Sequence, residues 1–458
     1  MAVITPKAGK DRKYNAARRP PSINQILEVP VKLELHKVAI RQLRFGNKTE
    51  VSEGTLNINK EELRSLLLED DRLASVDLDL AHPGDNTRIM PVKDAIEPRC
   101  KLEGSGELFP GFIGPPETVG TGKTLVLEGM AVLTTGRLIA AQEGIVDMSG
   151  PGADYTPFSK TCNLVVVLVP REGVELHEAE ETCRIAGFKT AHYLASQCKT
   201  TKADATELYD FPPLSKAMSA FPGLPKVGYI YMLQSQGLLH DTWVYGVDAK
   251  RMLPTLINPT ETMDCAIVSG NCVSACDKNN TYVHQNNPII KALCKRHGKD
   301  LNFIGVVITN ENITLADKQR SSSYAVKLMQ TLGAEACVIS EEGFGNPDAD
   351  LVLNCVKAER AGIKTVLVTD EFAGANGASQ SLADSCPEGT AVVTGGNANM
   401  TIVLPPMDKV IGDIGQADVI AGGFFGSKRE DGSLEVELQA ILSATNEMGF
   451  NKLGAFTI

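Results

Sequence analysis

Strand and helix patterns alternate over the last part of the chain, and this alternation restricts the possible folds more than any other feature of the sequence. The predicted strands are 302–308, 336–339, 364–369 and 391–394, and the predicted helices are 321–332 and 349–361. Each helix is followed by a glycine, which is typical of helix ends. Such alternation predicts a parallel sheet with helices on both faces.

Polar residues follow three of these predicted strands directly. They occupy positions 309–312, 369–371 and 394–397. The carboxyl ends of parallel strands lie at one edge of a sheet, and ligands of open α/β sheets bind beyond that edge. The sequence therefore predicts a ligand site there.

The earlier part of the chain has different patterns. Alternating apolar and polar residues at 31–36 and 76–80 predict half-buried strands, and 124–135 is also strand-like. Asn59 is a suitable N-cap for a short helix. Residues 31–160 are therefore predicted to be β-rich with one helix.

The middle of the chain mixes both kinds of element. A buried strand begins at Leu164, a helix is predicted at 175–198, and 227–233 and 265–268 are strand-like. The predicted fold class is α/β. We expect a flexible basic tail at 1–30 and a β-rich region at 31–160. A mixed α/β region is expected at 161–271, and a C-terminal Rossmann-like parallel-sheet domain at 272–458.

Composition argues against several classes of protein. The formal net charge of −11 disfavours a surface that wraps nucleic acid, and no segment has the roughly 20 apolar residues of a membrane span. The eleven cysteines include no Cys-x-x-Cys pair, so zinc-ribbon and thioredoxin signatures are absent and no metal is predicted. Scattered thiols of this kind predict a reducing, cytoplasmic location.

The segment Gly120-Thr-Gly-Lys-Thr124 has only part of a phosphate-binding P-loop. The full motif requires glycine at position 117, which is Glu117 in this chain. The preceding residues are also rich in proline rather than strand-like. The segment is therefore predicted to be a turn that enters a strand.

The bond between Asn271 and Cys272 has distinctive chemistry. The Cys272 thiolate can attack the Asn271 carbonyl in an N-to-S acyl shift, and β-elimination then leaves dehydroalanine on the new N-terminus. Tautomerisation and hydrolysis convert dehydroalanine to a pyruvoyl group. Cysteine is required because its sulfur acts first as nucleophile and then as leaving group.

These two residues alone leave alternatives open. Most Asn-Cys pairs are inert. Asparagine cyclisation of the intein type is a further alternative, although Gly270 stands where such sites usually have histidine. Cys272 and Cys276 have a spacing that suits a redox pair or half a metal site, but no second Cys or His pair lies near them in the sequence.

Longer motifs around this bond resemble one family. They are Ile267-Val-Ser-Gly-Asn-Cys-Val-Ser-Ala-Cys-Asp-Lys278, Tyr282-Val-His-Gln-Asn-Asn-Pro288, Tyr231-Met-Leu-Gln-Ser-Gln-Gly-Leu-Leu-His-Asp241, Ile308-Thr-Asn-Glu-Asn312, Glu342-Gly-Phe-Gly-Asn-Pro347, Gln380-Ser-Leu-Ala-Asp384 and Ala444-Thr-Asn-Glu447. The motifs are similar to the proprotein for the α and β subunits of component B of glycine, sarcosine and betaine reductases. The resemblance extends from about residue 31 to the end of the chain.

The resemblance implies self-cleavage between Asn271 and Cys272. The β subunit would be residues 1–271, and the α subunit, 272–458, would begin with a covalent pyruvoyl cofactor made from Cys272. The implied activity is that of an oxidoreductase that cleaves the C–N bond of glycine, sarcosine or betaine, with a dithiol/disulfide couple, and leads to acetyl phosphate and an amine. Which of these small amines is the substrate stays open.

The resemblance also implies partner proteins. This chain has no selenocysteine, so the attacking selenolate would come from a selenocysteine-containing subunit of component B. A small selenoprotein, component A, and an acetyl-transferring component C would complete the complex. A D-proline reductase-type proprotein and a non-catalytic scaffold for the selenoprotein subunit are the alternative functions.

Five residues are candidates for proton transfer or for binding a substrate carboxylate beside Cys272. They are Cys276, Asp277, Lys278, His240 and His284. Lys278 could bind a carboxylate or could equally be a solvated surface lysine.

Overall fold

The computed structural model describes residues 31–104, 106–237, 239, 241–270 and 273–448. The described strands are β1 (Val31–Ala39), β2 (Gln42–Gly46), β3 (Glu50–Ser52), β4 (Thr55–Asn59), β5 (Leu73–Ala81), β6 (Thr87–Val92), β7 (Asp94–Ile96), β8 (Arg99–Glu103), β9 (Gly122–Glu128), β10 (Met130–Gly136), β11 (Gly144–Asp147), β12 (Cys162–Pro170), β13 (Ala205–Phe211), β14 (Lys226–Leu233), β15 (Trp243–Val244), β16 (Val247–Asp248), β17 (Thr255–Ile257), β18 (Ile267–Val268), β19 (Asn302–Asn310), β20 (Ala336–Ser340), β21 (Lys364–Glu371), β22 (Val392–Asn397), β23 (Thr401–Leu404), β24 (Lys409–Gly412) and β25 (Leu434–Glu437). The helices are α1 (Lys60–Leu67), α2 (Gly150–Ala153), α3 (Leu176–Gln197), α4 (Leu214–Ala217), α5 (Pro259–Met263), α6 (Thr281–Gln285), α7 (Pro288–Arg296), α8 (Leu315–Thr331) and α9 (Asn346–Arg360). Among these described helices, none is long and apolar enough to cross a membrane. The predicted tail at 1–30 lies outside the described residues.

The largest sheet has six strands in the order β17-β19-β14-β20-β21-β22. Neighbouring strands are parallel except at the edge, where β17 runs antiparallel to β19. The four strands predicted from the alternation are all present, as β19 to β22. Helices α8 and α9 cover one face, where Ala325, Met329 and Leu351 pack against Ile304 and Ile339.

The sheet does not follow the predicted division at residue 271. Strand β14 precedes that position, yet it lies between β19 and β20, which follow it. Tyr231 of β14 is paired with Ile308 on one side and Ser340 on the other. The α/β class is confirmed, whereas a separate C-terminal parallel-sheet domain is not, because the alternation cannot reveal an earlier strand inserted between later ones.

A core shared by both parts of the chain lies between this sheet and the sheet ordered β13-β1-β9-β8. Leu33, Leu35 and Phe211 come from the first part, and Phe303 and Ile290 come from the second. All five side chains are buried. Residues before and after position 271 therefore form one continuous hydrophobic interior.

The predicted strand at 124–135 is wrong in one respect, because it is two strands in different sheets. Strand β9 pairs with β1, and β10 pairs with β12. Gly129 turns the chain between them with φ of 89°, and a Cβ atom there would approach the Ile40 carbonyl oxygen to 2.7 Å. Glycine allows both the backbone conformation and the close contact.

Other local predictions are confirmed. Asn59 Oδ1 accepts a hydrogen bond from the Glu62 backbone N–H over 3.1 Å, which caps α1. The segment at 120–124 is the predicted turn, since β9 begins at Gly122. Helix α8 begins earlier than predicted, because Thr314 Oγ1 accepts from the Asp317 N–H over 3.2 Å and caps an additional polar turn.

Candidate functional site

Buried carboxyl groups converge at the carboxyl end of the six-stranded sheet. Glu311 follows β19, Glu341 and Glu342 follow β20, and Asp370 lies near the end of β21. Two more buried carboxyl groups come from other segments and are electrostatically coupled to these four. We call the six groups the carboxyl cluster: Asp277, Glu311, Glu341, Glu342, Asp370 and Glu447.

Glu342 links the segments that meet at this edge. Its Oε1 accepts from the Asn279 backbone N–H over 2.9 Å, and its Oε2 accepts from the Gln234 N–H over 3.3 Å and from Thr242 Oγ1 over 3.2 Å. Its own backbone N–H donates to Glu311 Oε1 over 2.8 Å. The bonds join residues before and after position 271 at the end of the sheet.

Several oxygens of the carboxyl cluster are buried without a hydrogen-bond partner among the described residues. They are Asp277 Oδ2, Glu311 Oε2, Glu341 Oε2, Asp370 Oδ1 and both carboxyl oxygens of Glu447. The other Asp370 oxygen accepts from Thr445 Oγ1 over 2.9 Å. Buried polar atoms are normally paired, so these oxygens mark a place that can receive a proton, a donor or a cation.

Burial raises the pKa of every group in the carboxyl cluster. The pKa values of Asp277 and Glu342 are each raised to about 7, with burial as the main cause. The pKa values of the other four groups lie well above the ordinary carboxyl range, because burial and neighbouring carboxyl groups both oppose ionisation. The positive charge of Lys278 opposes this rise in the pKa values of Asp277 and Glu342. The cluster therefore holds protons at neutral pH.

These pKa values predict that the carboxyl cluster destabilises the fold as the pH rises. In the unfolded chain carboxyl groups titrate near pH 4, whereas folded Asp277 and Glu342 keep their protons up to about pH 7. Between those values the folded state binds more protons, so raising the pH favours unfolding. We expect Glu342→Gln to reduce the loss of unfolding free energy between pH 5 and pH 8, measured by urea denaturation.

The wild-type protein must be compared with Glu342→Gln because buried His284 affects the pH dependence of the unfolding free energy in the opposite direction. Its pKa is lowered by burial to about 3, so its contribution to stability increases as the pH rises through about 6.5. The wild-type protein and the variant share this contribution. An identical pH dependence in the two proteins would contradict the protonated state of Glu342.

Three of the predicted site residues lie in or beside the carboxyl cluster. Cys276, Asp277 and Lys278 are all buried, and the Cys276 thiol lies 3.4 Å from Asp277 Oδ1. Lys278 Nζ lies 3.4 Å from the backbone oxygen of Lys93. The surface-lysine alternative for Lys278 is therefore wrong, because its side chain is only 1% exposed.

His284 lies on α6 and shares a hydrogen bond of 2.7 Å between its Nδ1 atom and the Tyr231 hydroxyl. Its other ring nitrogen is buried without a partner among the described residues. Since burial lowers its pKa to about 3, the ring is neutral near pH 7 and is not a reservoir of protons. The remaining predicted site residues, His240, Asn271 and Cys272, lie outside the described part of the chain.

The described residues on both sides of the predicted cleavage position are anchored. The Ser269 N–H donates to Thr281 Oγ1 over 3.1 Å. On the other side, the Val273 side chain is buried. A small cavity also reaches Gly270, and its other lining residues are Lys93, Asp94, Thr134, Glu180, Cys183, Arg184 and Ser269. The last described residue before the predicted cleavage position therefore lines this cavity, and Asp277 of the carboxyl cluster lies on the segment that follows the position.

Cys276, Asp277 and Asp370 have the proximity that a bound ion would need. One ligand atom from each lies within 4.8 Å of the others. A thiol and two carboxyl groups suit different classes of metal, so this arrangement alone assigns none. The absence of a metal stays a prediction.

Sequence reasoning found part of this site. The polar residues after two predicted strands gave Glu311 and Asp370, but Glu341 and Glu342 were not identified, although they follow the predicted strand at 336–339 in the same way. Asp94 was also missed. It accepts from the Thr281 N–H over 2.8 Å and from Thr281 Oγ1 over 2.6 Å, and burial raises its pKa to about 6.

Comparisons with known proteins give one consistent result. The model of the family described as glycine/sarcosine/betaine reductase component B subunits matches residues 31–456. Two proteins named glycine reductase complex component B subunits alpha and beta, from Acetoanaerobium sticklandii and Peptoclostridium acidaminophilum, are each 56% identical over 93% of this chain and are covered over 100% and 99% of their lengths. The sarcosine reductase complex component B subunit alpha of Peptoclostridium acidaminophilum is 51% identical over 93% of this chain and is covered over 99% of its length.

A more distant match bears on one of the alternatives. The D-proline reductase proprotein of Acetoanaerobium sticklandii is 21% identical over 71% of this chain, and the match covers 53% of that proprotein. No solved structure matches the chain.

Proposed function

Because the chain belongs to the family of glycine/sarcosine/betaine reductase component B subunits, we propose that it takes part in reductive cleavage of the C–N bond of one of these three amines. The observation that carries the proposal is the carboxyl cluster, which lies with Lys278 at the carboxyl end of the six-stranded sheet. Its member Asp277 follows the predicted cleavage position closely in the sequence. The D-proline reductase alternative has only a distant match in its favour.

The proposed active form consists of two fragments, 1–271 and 272–458, made by cleavage of the Asn271–Cys272 bond. The described residues beside this bond support the proposal, since Ser269 is hydrogen-bonded to Thr281 and Val273 is buried. Strand β14 of the first fragment lies between β19 and β20 of the second. The fragments are therefore expected to stay together after cleavage.

A pyruvoyl group made from Cys272 would supply an electron-poor carbonyl that engages the substrate nitrogen. Asp277 follows Cys272 closely in the sequence and fits such a group, because its Oδ2 atom is a buried acceptor with no partner among the described residues. Asp277, with a pKa of about 7, can accept or give a proton near neutral pH. Lys278 can hold the substrate carboxylate by charge-assisted hydrogen bonds.

In the proposed reaction, a selenolate from a selenocysteine-containing subunit attacks the substrate α-carbon. A C–Se bond forms as the C–N bond breaks, and the nitrogen leaves with the bonding electron pair and takes a proton. A carboxyl group of the cluster can supply that proton, since the pKa values are raised into the neutral range or above. The carboxymethyl group then passes to component A, where it is reduced to the acetyl level while a dithiol is oxidised to a disulfide. Component C transfers the acetyl group to inorganic phosphate, which gives acetyl phosphate.

This proposal places the protein in the reducing cytoplasm, in agreement with the ten described cysteines, which are all free thiols. A non-catalytic scaffold would have no need for buried carboxyl groups with unpaired oxygens, which destabilise a fold without serving assembly.

Activity of the reconstituted complex tests the proposal. The purified protein is combined with the selenocysteine subunit, component A and component C, and supplied with glycine, sarcosine, betaine or D-proline. Release of ammonia, methylamine or trimethylamine from one of the first three is expected. Turnover of D-proline alone would support the alternative, and no turnover of any substrate would contradict the proposal.

A further inference from the structure

We propose that Asp94 and Thr281 position the main chain for cleavage of the Asn271–Cys272 bond. In this role the Thr281 hydroxyl holds the backbone at Ser269, and Asp94 orients that hydroxyl. The inference deepens the proposed function, because it rests on self-cleavage at this bond and assigns to that reaction two residues outside the carboxyl cluster.

The Thr281 hydroxyl closes a loop that contains the predicted cleavage position. Its Oγ1 atom accepts from the Ser269 backbone N–H over 3.1 Å, although the two residues are 12 positions apart in the sequence. Both residues are buried. The Ser269 hydroxyl in turn donates to the Gly270 carbonyl oxygen over 2.9 Å, in the peptide unit that joins Gly270 to Asn271. Hydrogen bonds therefore hold the main chain up to the last described residue before the bond that is cleaved.

Asp94 fixes the direction in which the Thr281 hydroxyl donates. Asp94 Oδ2 accepts from Thr281 Oγ1 over 2.6 Å, and Oδ1 accepts from the Thr281 N–H over 2.8 Å and from the Ala95 N–H over 2.9 Å. A hydroxyl has one hydrogen and two lone pairs, so donation to Asp94 leaves a lone pair for the Ser269 N–H. Although burial raises the pKa of Asp94 to about 6, the carboxylate is mainly ionised at pH 7 and can accept these bonds.

The sheet gives Asp94 a fixed position beside the cleavage site. Asp94 is the first residue of β7, where it is paired with Thr134 of β10, and its backbone N–H donates to Thr134 Oγ1 over 3.2 Å. Asp94, Ser269 and Gly270 line the same small cavity. Since both carboxylate oxygens of Asp94 already accept hydrogen bonds, it is a positioning residue and does not itself react.

Cleavage depends on backbone conformation because the nucleophile and its target belong to adjacent residues. A bond forms between the Cys272 sulfur and the Asn271 carbonyl carbon, the bond from that carbon to the Cys272 nitrogen breaks, and the nitrogen takes the proton that the thiol gives up. This step passes through a small ring that only some conformations of the main chain allow. Holding the reacting groups in a suitable orientation can accelerate such a reaction by orders of magnitude.

The rate of cleavage tests the inference. The full-length chain is made by cell-free translation with labelled methionine, synthesis is stopped, and the appearance of fragment 272–458 is followed on denaturing gels. Thr281→Val removes the hydroxyl at nearly constant volume and is expected to slow cleavage at least about tenfold. Thr281→Ser keeps the hydroxyl and should restore most of the wild-type rate.

Thr190→Val is the matched control and should be cleaved at the wild-type rate. Thr190 is also fully buried, but its hydroxyl donates to the Ala186 carbonyl oxygen within α3 over 2.8 Å. Urea denaturation in the Cys272→Ala background, where every chain stays whole, establishes that each variant is folded under the conditions of the rate measurement. If Thr281→Val does not fold, Asp94→Asn is compared with Thr281→Ser instead.

Asp94→Asn tests whether Asp94 acts through Thr281. The amide places an N–H donor where the carboxylate has an acceptor, either beside the Thr281 hydroxyl or beside the backbone N–H groups, so this variant should also be cleaved more slowly. In the Thr281→Val background the same change should cause no further slowing, because the hydroxyl on which Asp94 acts is absent.

Three results would overturn the inference. The first is a wild-type rate of cleavage in Thr281→Val and Asp94→Asn, and the second is a rate in Thr281→Ser as low as that in Thr281→Val. The third is cleavage at the wild-type rate followed by separation of the variant fragments on size-exclusion chromatography, which would limit the pair to holding the fragments together. A wild-type chain that is not cleaved at all would contradict the proposed function itself, and the inference with it.

Discussion

Replacing Cys272 with alanine is expected to leave a single 458-residue chain that has no reductase activity. The substitution removes the sulfur that must attack the Asn271 carbonyl and then leave, so neither cleavage nor pyruvoyl formation can occur. A denaturing gel should show one band for the variant and two for the wild-type protein. The reconstituted complex should release no amine from glycine, sarcosine or betaine.

Cys276→Ala is the matched control for this experiment. The Cys276 thiol is buried beside Asp277, and burial together with the neighbouring carboxyl groups raises its pKa well above the ordinary value. A protonated thiol is a poor nucleophile, so this variant should still be cleaved into two fragments. Cleavage of Cys272→Ala at the same position would contradict the assignment of Cys272.

Replacing Arg99 with methionine is expected to loosen the association of the two fragments. Arg99 is buried and donates to Glu97 Oε2 over 2.9 Å, to the Met263 carbonyl oxygen over 2.5 Å and to Asn286 Oδ1 over 2.9 Å. Its partner Asn286 belongs to the second fragment, whereas Arg99 itself belongs to the first. The loss leaves the Glu97 carboxylate buried without its cation, which typically costs about 3–5 kcal/mol.

This cost should be measurable in two ways. The free energy of unfolding in urea should fall by about 3–5 kcal/mol, and the cleaved fragments should separate on dilution during size-exclusion chromatography. Arg296→Met is the control, since its ion pair with Asp300 is exposed and such pairs contribute about 0–1 kcal/mol. Equal losses in the two variants would contradict the role given to Arg99.

The sequence predicted the strands of the large sheet better than their order. Each of the strands β19 to β22 is a local apolar segment, so its pattern is complete within a few residues. The position of β14 depends on pairing with segments far along the chain, through contacts such as Tyr231 with Ser340. Local periodicity carries no information about that pairing.

The candidate site was predictable to the extent that its residues are close in sequence to a recognisable signal. Asp277 lies near the Asn271–Cys272 bond, and Asp370 lies at a strand exit. Tertiary packing buries Lys278. It also brings the segment around Asn446 to Asp277, although the two residues are 169 positions apart in the sequence. Glu447 is a cluster member for that reason, and its sequence neighbours do not indicate the role.

The intact mass of the smaller fragment tests the central claim most directly. Native protein is purified and separated under denaturing conditions, and the fragment 272–458 is weighed by mass spectrometry. The expected mass is that of the unmodified fragment after loss of one hydrogen sulfide and one ammonia and gain of one water, the composition of a pyruvoyl group in place of Cys272. A single uncleaved chain, or a fragment that begins with an intact Cys272, would contradict self-processing at this bond.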